Sequence, residues 1–167
     1  GLEHGQGVTV YPDGSRDEGE FKDGLMDGQG VSIWDDGSYE GEFKSGLREG
    51  QGVYVWADGT RYEGEFKEGL EHGQGVFIWA DGTRYEGEFK DGLFDGQGAF
   101  ILNDGTRYEG QWRIGIPTNK GVKILPNGTH YDGNWKDSIV QDYQVYRLGE
   151  DFHYEGEYKN SLFHGQG

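Results

Sequence analysis

Self-similarity at a fixed short period constrains this chain more than any other feature. The glycines at the centre of its E-G-E-type triplets stand at Gly19, Gly41, Gly64, Gly87, Gly110, Gly133 and Gly156, spaced by 22 residues once and by 23 thereafter. The short interval is one missing residue between Gly37 and Tyr39, where other copies carry Arg, as in Thr60-Arg61-Tyr62. A turn is expected to absorb that deletion. Units this short cannot enclose a core of their own, so each must bury its apolar groups against its neighbours.

One copy, Tyr62 to Arg84, shows what the unit is made of. Tyr62, Gly64 and Phe66 alternate with Glu63, Glu65 and Lys67, the period-two signature of a strand with one apolar and one charged face. Val76-Phe77-Ile78-Trp79 is β-branched and aromatic and reads as a second strand, after a glycine-rich connection. Asp81-Gly82 supplies the Asp-Gly dipeptide of tight hairpins. Each copy is therefore a pair of antiparallel strands, and no segment carries a helical period.

Composition decides how about fourteen such strands are arranged. Only 32% of residues are hydrophobic and 33 of 167 are glycine, yet the chain holds 11 Tyr, 9 Phe and 5 Trp. Two packed sheets would need near-continuous apolar faces, which these strands lack. Glycine inside strands ordinarily weakens them, but an aromatic ring from the adjacent strand can lie over the bare backbone. The expected fold is all-β: an elongated single-layer antiparallel sheet, a β-hairpin solenoid of about seven 23-residue units, roughly 65–70 Å long at ~4.8 Å per strand.

The pattern Y-x-G-x-[FW]-x-x-G-x-x-[HDE]-G-x-G, followed by an apolar strand and Asp-Gly, resembles the MORN (membrane occupation and recognition nexus) repeat along the whole chain. The resemblance implies a single-layer ribbon with a groove lined by the motif's aromatics. It also implies a binding or assembly module of the kind found in junction, cytoskeletal and ciliary proteins, in some cases linked to phosphoinositides or attached to enzyme domains. Residues 1–167 are read as one array and, because both ends stop in the same phase, as a piece of a longer protein. The array is least regular over about 113–152, where Asn119, Ser138, Asp142 and Gln144 replace glycines. That stretch is either an eroded copy or a bend exposing Ile139, Val140, Tyr143 and Tyr146.

Charge narrows the partners. With 31 acidic and 15 basic residues the net charge is −16, which opposes attachment to nucleic-acid phosphates or anionic headgroups and favours a basic partner. There is no cysteine, so no disulfide or thiolate metal site. The pairs Glu40/Glu42, Glu63/Glu65, Glu86/Glu88 and Glu155/Glu157 recur from copy to copy, whereas an acid/base dyad needs one special environment; they read as a solvated acidic face. The Asp-Gly sites lack calcium-loop spacing. His4, His72 and His164 share a repeat position with Asp27, Glu49, Asp95, Thr118 and Gln141 and read as loop surface. No phosphate loop or nucleophile motif is present, so no catalysis and no cofactor or metal are expected.

The second strands locate a candidate surface. Their first and third positions are mostly β-branched, while the second runs through Thr9, Ser32, Tyr54, Phe77, Phe100, Lys123 and Tyr146 and reads as solvent-facing. Tyr54, Phe77 and Phe100 would form an exposed aromatic stripe. Tyr39, Tyr62, Tyr85 and Tyr108, with Phe66, Phe89 and Trp112, are expected to cover glycines and also line a groove, together with Trp34, Trp56 and Trp79. The expected function is a non-catalytic scaffold holding a basic or amphipathic peptide or helix along this groove between acidic flanks. A phospholipid-targeting module, disfavoured by charge, and a regulatory arm of a larger enzyme are the alternatives. Unpaired strand edges would also permit a homodimer. A cytoplasmic setting, at the cytoskeleton, a cilium or a membrane junction, follows from the resemblance.

Overall fold

The computed structural model describes residues 4–133, 157–159 and 162–164. Ile139, Val140, Tyr143 and Tyr146 lie outside the described residues. Twelve strands, β1 (Gly5–Val10), β2 (Arg16–Lys22), β3 (Leu25–Trp34), β4 (Gly37–Lys44), β5 (Leu47–Trp56), β6 (Arg61–Lys67), β7 (Leu70–Ile78), β8 (Arg84–Lys90), β9 (Leu93–Ile101), β10 (Arg107–Arg113), β11 (Ile116–Ile124) and β12 (His130–Gly133), form one open sheet in which every neighbour in sequence is the neighbour in space. All pairings are antiparallel. Two short strands, β13 (Glu157–Lys159) and β14 (Leu162–His164), pair with each other. No helix occurs among the described residues.

Register follows from glycine. One glycine from each of the twelve strands faces one from the next, in the order Gly7, Gly19, Gly30, Gly41, Gly52, Gly64, Gly75, Gly87, Gly98, Gly110, Gly121 and Gly133. This row leaves a bare backbone floor across the sheet, and aromatic rings occupy it. Tyr39 covers Gly52, Tyr62 covers Gly75, Tyr85 covers Gly98, and Phe21 lies 3.4 Å from where a Cβ on Gly7 would stand. The tyrosine rings are wholly buried. Each is held edge-on between an aromatic of its own strand and one of the next copy: Tyr62 lies 5.0 Å from Phe66 and 4.9 Å from Phe89, and Tyr39 lies 5.0 Å from both Phe43 and Phe66. Aromatic edge-to-face contact thus joins copy to copy, and a one-layer sheet has a core.

The connections differ from the sequence reading in one respect. The Leu-x-x-Gly-Gln-Gly stretch is strand rather than loop, so the turn before it shrinks to two residues, as at Glu68-Gly69. A register shift beside the central glycine, at Gly41/Phe43 and Gly64/Glu65 for example, accommodates two extra residues on the longer strand. The second glutamate of each triplet satisfies the freed backbone: Glu42, Glu65 and Glu88 accept from the N–H of Gln51, Gln74 and Gln97 at 3.2, 3.0 and 2.9 Å. At the other hairpin end Asp58, Asp81 and Asp104 accept from the N–H two residues on, at 2.8, 2.9 and 2.7 Å. These aspartates are turn-formers, as the sequence indicates. The deletion is absorbed by a two-residue turn, Asp35-Asp36, with Trp34 opposite Gly37.

The two-residue turns that enter β3, β5, β7, β9 and β11 take positive φ at a non-glycine position, supplied by Asp23, Ser45, Glu68, Asp91 and Ile114 at φ 49–52°. Asp tolerates this conformation; a β-branched side chain does not. Ile114 is also well exposed, so it gains little from burial. Ile114→Gly is therefore expected to raise stability by about 1 kcal/mol, seen as a higher urea midpoint at unchanged slope.

Candidate functional site

The two faces of the sheet differ in chemistry. One carries the first glutamate of each triplet and the preceding arginine, paired as Arg61–Glu63 and Arg84–Glu86, both at 2.6 Å, with Arg107 bridging Glu86 at 3.6 Å and Glu109. Its trough of about 690 Å³ is lined by Gln51, Gln74, Gln97, Glu63 and Glu86. The acids there are engaged with arginines, and no group of three or more His, Cys, Asp or Glu among the described residues could hold a metal ion.

The opposite face is aromatic. Because Gly64 pairs with Gly75, the residue two before the one, Tyr62, lies directly opposite the residue two after the other, Phe77, on the same face. Tyr39 likewise opposes Tyr54, and Tyr85 opposes Phe100. The second strand position therefore joins the tyrosine face, contrary to the solvent-facing assignment, and the first and third positions fall on the charged face. Val10, at 67% exposure, is among the most exposed apolar residues, whereas Ser32 and Phe100 are buried. Phe100 is correspondingly not part of an exposed stripe: Trp79 and Trp112 close over it.

Of the aromatics named from the sequence, Tyr39, Tyr62, Tyr85, Tyr108, Phe66, Phe89 and Trp112 are buried within the ring stack, so their rings are not contact surface. Burial also raises the Tyr39 hydroxyl to about 12 and Tyr62 higher than its ordinary value, keeping both neutral. Those hydroxyls donate to the carbonyls of Glu42 at 3.0 Å and Glu65 at 2.9 Å. What remains partly open is a continuous zigzag: Trp34 to Tyr54 at 5.9 Å, Tyr54 to Trp56 at 4.3 Å, Trp56 to Phe77 at 5.3 Å and Phe77 to Trp79 at 4.7 Å. All five are partly exposed. A trough of about 590 Å³ runs into its N-terminal end, bounded by Tyr11, Asp13, Asp17, Trp34, Arg48 and Tyr54.

Two sets of residues had no clear sequence signal. Met26, Arg48, Glu71, Phe94 and Pro117 occupy one repeat position, each directly opposite the second aromatic of its hairpin. The position carries a different chemistry in every copy, and at Arg48 and Phe94 its side chain lies against the tyrosine row. Phe94 stacks on Tyr85 at 3.8 Å, and the Arg48 guanidinium lies 4.8 Å from the Tyr54 ring centroid while donating to Gly69 O at 2.7 Å. The second set is the position holding His72. It is a half-buried strand site rather than loop surface: Asp27, Glu49 and Asp95 accept from the turn N–H of Ser45, Glu68 and Ile114 at 3.1, 3.0 and 3.1 Å. His72 stands in the same place, 3.7 Å from the Asp91 carboxylate.

The MORN repeat model matches residues 1–16, 18–38, 39–61, 62–84, 85–107, 108–130 and 154–167. The chain belongs to the MORN repeat family. The matched segments of this MORN array carry the strand pairs described above, and 131–153 lies between the last two matches. No curated protein matches the chain. Among solved structures, the SAS-4 (dCPAP) TCP domain in complex with a proline-rich motif of Ana2 (dSTIL), from Drosophila melanogaster, is 15% identical, with 77% of this chain and 89% of that chain covered and a TM-score of 0.23. So loose a likeness has no bearing on what this chain binds.

Proposed function

We propose that this MORN array is a non-catalytic protein-interaction scaffold whose contact surface is the open part of the aromatic face. The observation that supports this reading is the unbroken ring zigzag Trp34, Tyr54, Trp56, Phe77 and Trp79, partly exposed on a sheet with no second layer among the described residues. Aromatic clusters of this kind supply most of the energy at peptide interfaces, because large rings bury area with few torsions to freeze. The exposed acids Asp13, Asp35, Asp36, Asp58 and Asp81 border it at the hairpin ends and favour a basic segment. The buried tyrosines act as the rigid floor beneath.

Selection of a displayed random-peptide library on the immobilised chain tests this. Trp56→Ala and Trp79→Ala are expected to weaken selected binders about 30-fold each, the size of a hot-spot loss. Glu63→Gln and Glu86→Gln, on the other face, should leave binding unchanged. Binders insensitive to both tryptophans, yet lost with the glutamines, would move the site to the charged face. The same net charge of −16 weighs against the lipid-targeting alternative, for which co-sedimentation with phosphoinositide vesicles at physiological salt is the direct measurement.

A further inference from the structure

The conformation of the bound segment can be read from the spacing of the tryptophans. Trp34, Trp56 and Trp79 stand at the same repeat position near the ends of β3, β5 and β7, on alternate strands, so the row advances by about 9.6 Å per step at ~4.8 Å per strand. It runs across the strands, along the sheet. A ligand lying on the row must present the same face every 9.6 Å or lose contact after one ring.

Three regular backbones can be compared with that step. A polyproline II helix rises 3.1 Å per residue and returns to the same face every third residue, so its repeat is about 9.3 Å. Over two steps it drifts from the rings by about 0.6 Å. An α-helix returns to nearly the same face after seven residues, about 10.5 Å, and drifts by roughly 1.8 Å over the same distance. An extended strand presents the same face every two residues, at about 6.6 and 13 Å, and matches no step. Of the three, the first stays closest to register with the three indoles.

Chemistry agrees with geometry. Proline rings pack flat on aromatic faces, and a proline-rich segment carries carbonyl acceptors but few N–H groups. The surface offers the complementary donors, the indole N–H groups of Trp34 and Trp56 and the hydroxyl of Tyr54. Each tryptophan is followed within two residues by exposed acid: Asp35 and Asp36 after Trp34, Asp58 after Trp56, Asp81 after Trp79. The three turn segments 35–37, 57–60 and 80–83 contain no Lys or Arg. The acids therefore recur with the same step as the rings.

We infer that the aromatic row receives a basic proline-rich segment in the polyproline II conformation, in the register P-x-x-P-x-x-P, with one proline over each of Trp34, Trp56 and Trp79 and Lys or Arg among the intervening residues facing the turn aspartates. This rests on the binding surface proposed above and specifies its occupant. The outer prolines are six positions apart, matching the two steps from Trp34 to Trp79.

The test is titration of the full chain with three fluorescein-labelled peptides of equal charge, followed by anisotropy: PRAPRAPRAP, a rearrangement with the same composition but no three-residue period, and a basic amphipathic helical peptide with heptad leucines. The periodic peptide is expected to bind at least tenfold more tightly than the rearranged one. Trp56→Ala should abolish that preference. Asp58→Asn with Asp81→Asn, which keeps the Oδ1 that caps each turn and so preserves the fold, should weaken binding roughly three- to tenfold and flatten its salt dependence. Equal binding of the periodic and rearranged peptides, or tighter binding of the helical one, overturns the inference while leaving the aromatic face as the site. Failure of the periodic peptide to bind while library-selected binders of another class depend on Trp56 also overturns it. If none of the three binds and the library yields no Trp56-dependent binder, both the inference and the proposed surface fall.

Discussion

Gly75→Ala is expected to destabilise the array by about 3 kcal/mol or more, although alanine is the smallest change possible. Gly75 does not have positive φ, so the new residue suits the backbone and the cost is steric. Its Cβ would stand 2.6 Å from Cε2 and 2.7 Å from Cζ of Tyr62, and closer still to the hydroxyl. That ring has nowhere to go: it is 0% exposed, held edge-on between Phe66 and Phe89, with its hydroxyl donating to Glu65 O at 2.9 Å. A turn glycine provides the contrast. Gly82 has φ +88° but open space around the missing Cβ, so Gly82→Ala should cost only about 1 kcal/mol of backbone strain. Denaturation midpoints of the two variants measure the difference. In an array whose units are held neighbour by neighbour, Gly75→Ala should also split the transition, because the strained contact lies mid-array. Equal midpoints for the two would show that the ring does not press on the glycine floor.

Removing the ring from above should cost as much as crowding it from below. Tyr62→Ala is expected to destabilise by roughly 3–5 kcal/mol, the range for deleting a buried aromatic, while Tyr62→Phe, which loses only the hydrogen bonds to Glu65 and His72 carbonyls, should cost about 1 kcal/mol. The pair is coupled. The three atoms nearest the Gly75 Cβ position all belong to Tyr62, so in the double variant the methyl enters vacated space and the combined loss should fall short of the sum by more than about 1 kcal/mol. Gly64 is the control, since besides the Tyr62 hydroxyl its Cβ would meet the Gln74 carbonyl oxygen and the Gly75 Cα, all at 2.6 Å. Backbone cannot be deleted, so Tyr62→Ala should give Gly64→Ala much less relief. Additive losses at Gly75 would refute ring-over-glycine packing as the source of stability.

Much of the fold was legible because repetition and alternation are one-dimensional signals. The strand pairs, the single layer, the glycine-covering tyrosines and the Asp-Gly turns all follow from period, composition and turn chemistry. Which face each residue of the second strand takes was less legible. Val53, Val55, Val76 and Ile78 look like core and Tyr54 and Phe77 look like surface, but parity along a strand is meaningful only once the cross-strand register is known. That register is set by Gly64 standing opposite Gly75, which puts Phe77 beside Tyr62, while the two residues absorbed beside Gly64 leave the parity of the faces unchanged. The capping roles of Arg48 and Phe94 were hidden for a related reason: a position with a different residue in every copy looks unconstrained, although each of these side chains has its own neighbour.

By itself, the sequence determined the period, the strand content, the acidic charge and the aromatic rows, because these depend on local spacing and composition. Tertiary structure alone decided which rings stay partly open, Trp34, Tyr54, Trp56, Phe77 and Trp79, and that Phe100 is closed over. Exposure is a property of what lies across the strand and above the ring, and neither is written in the order of residues.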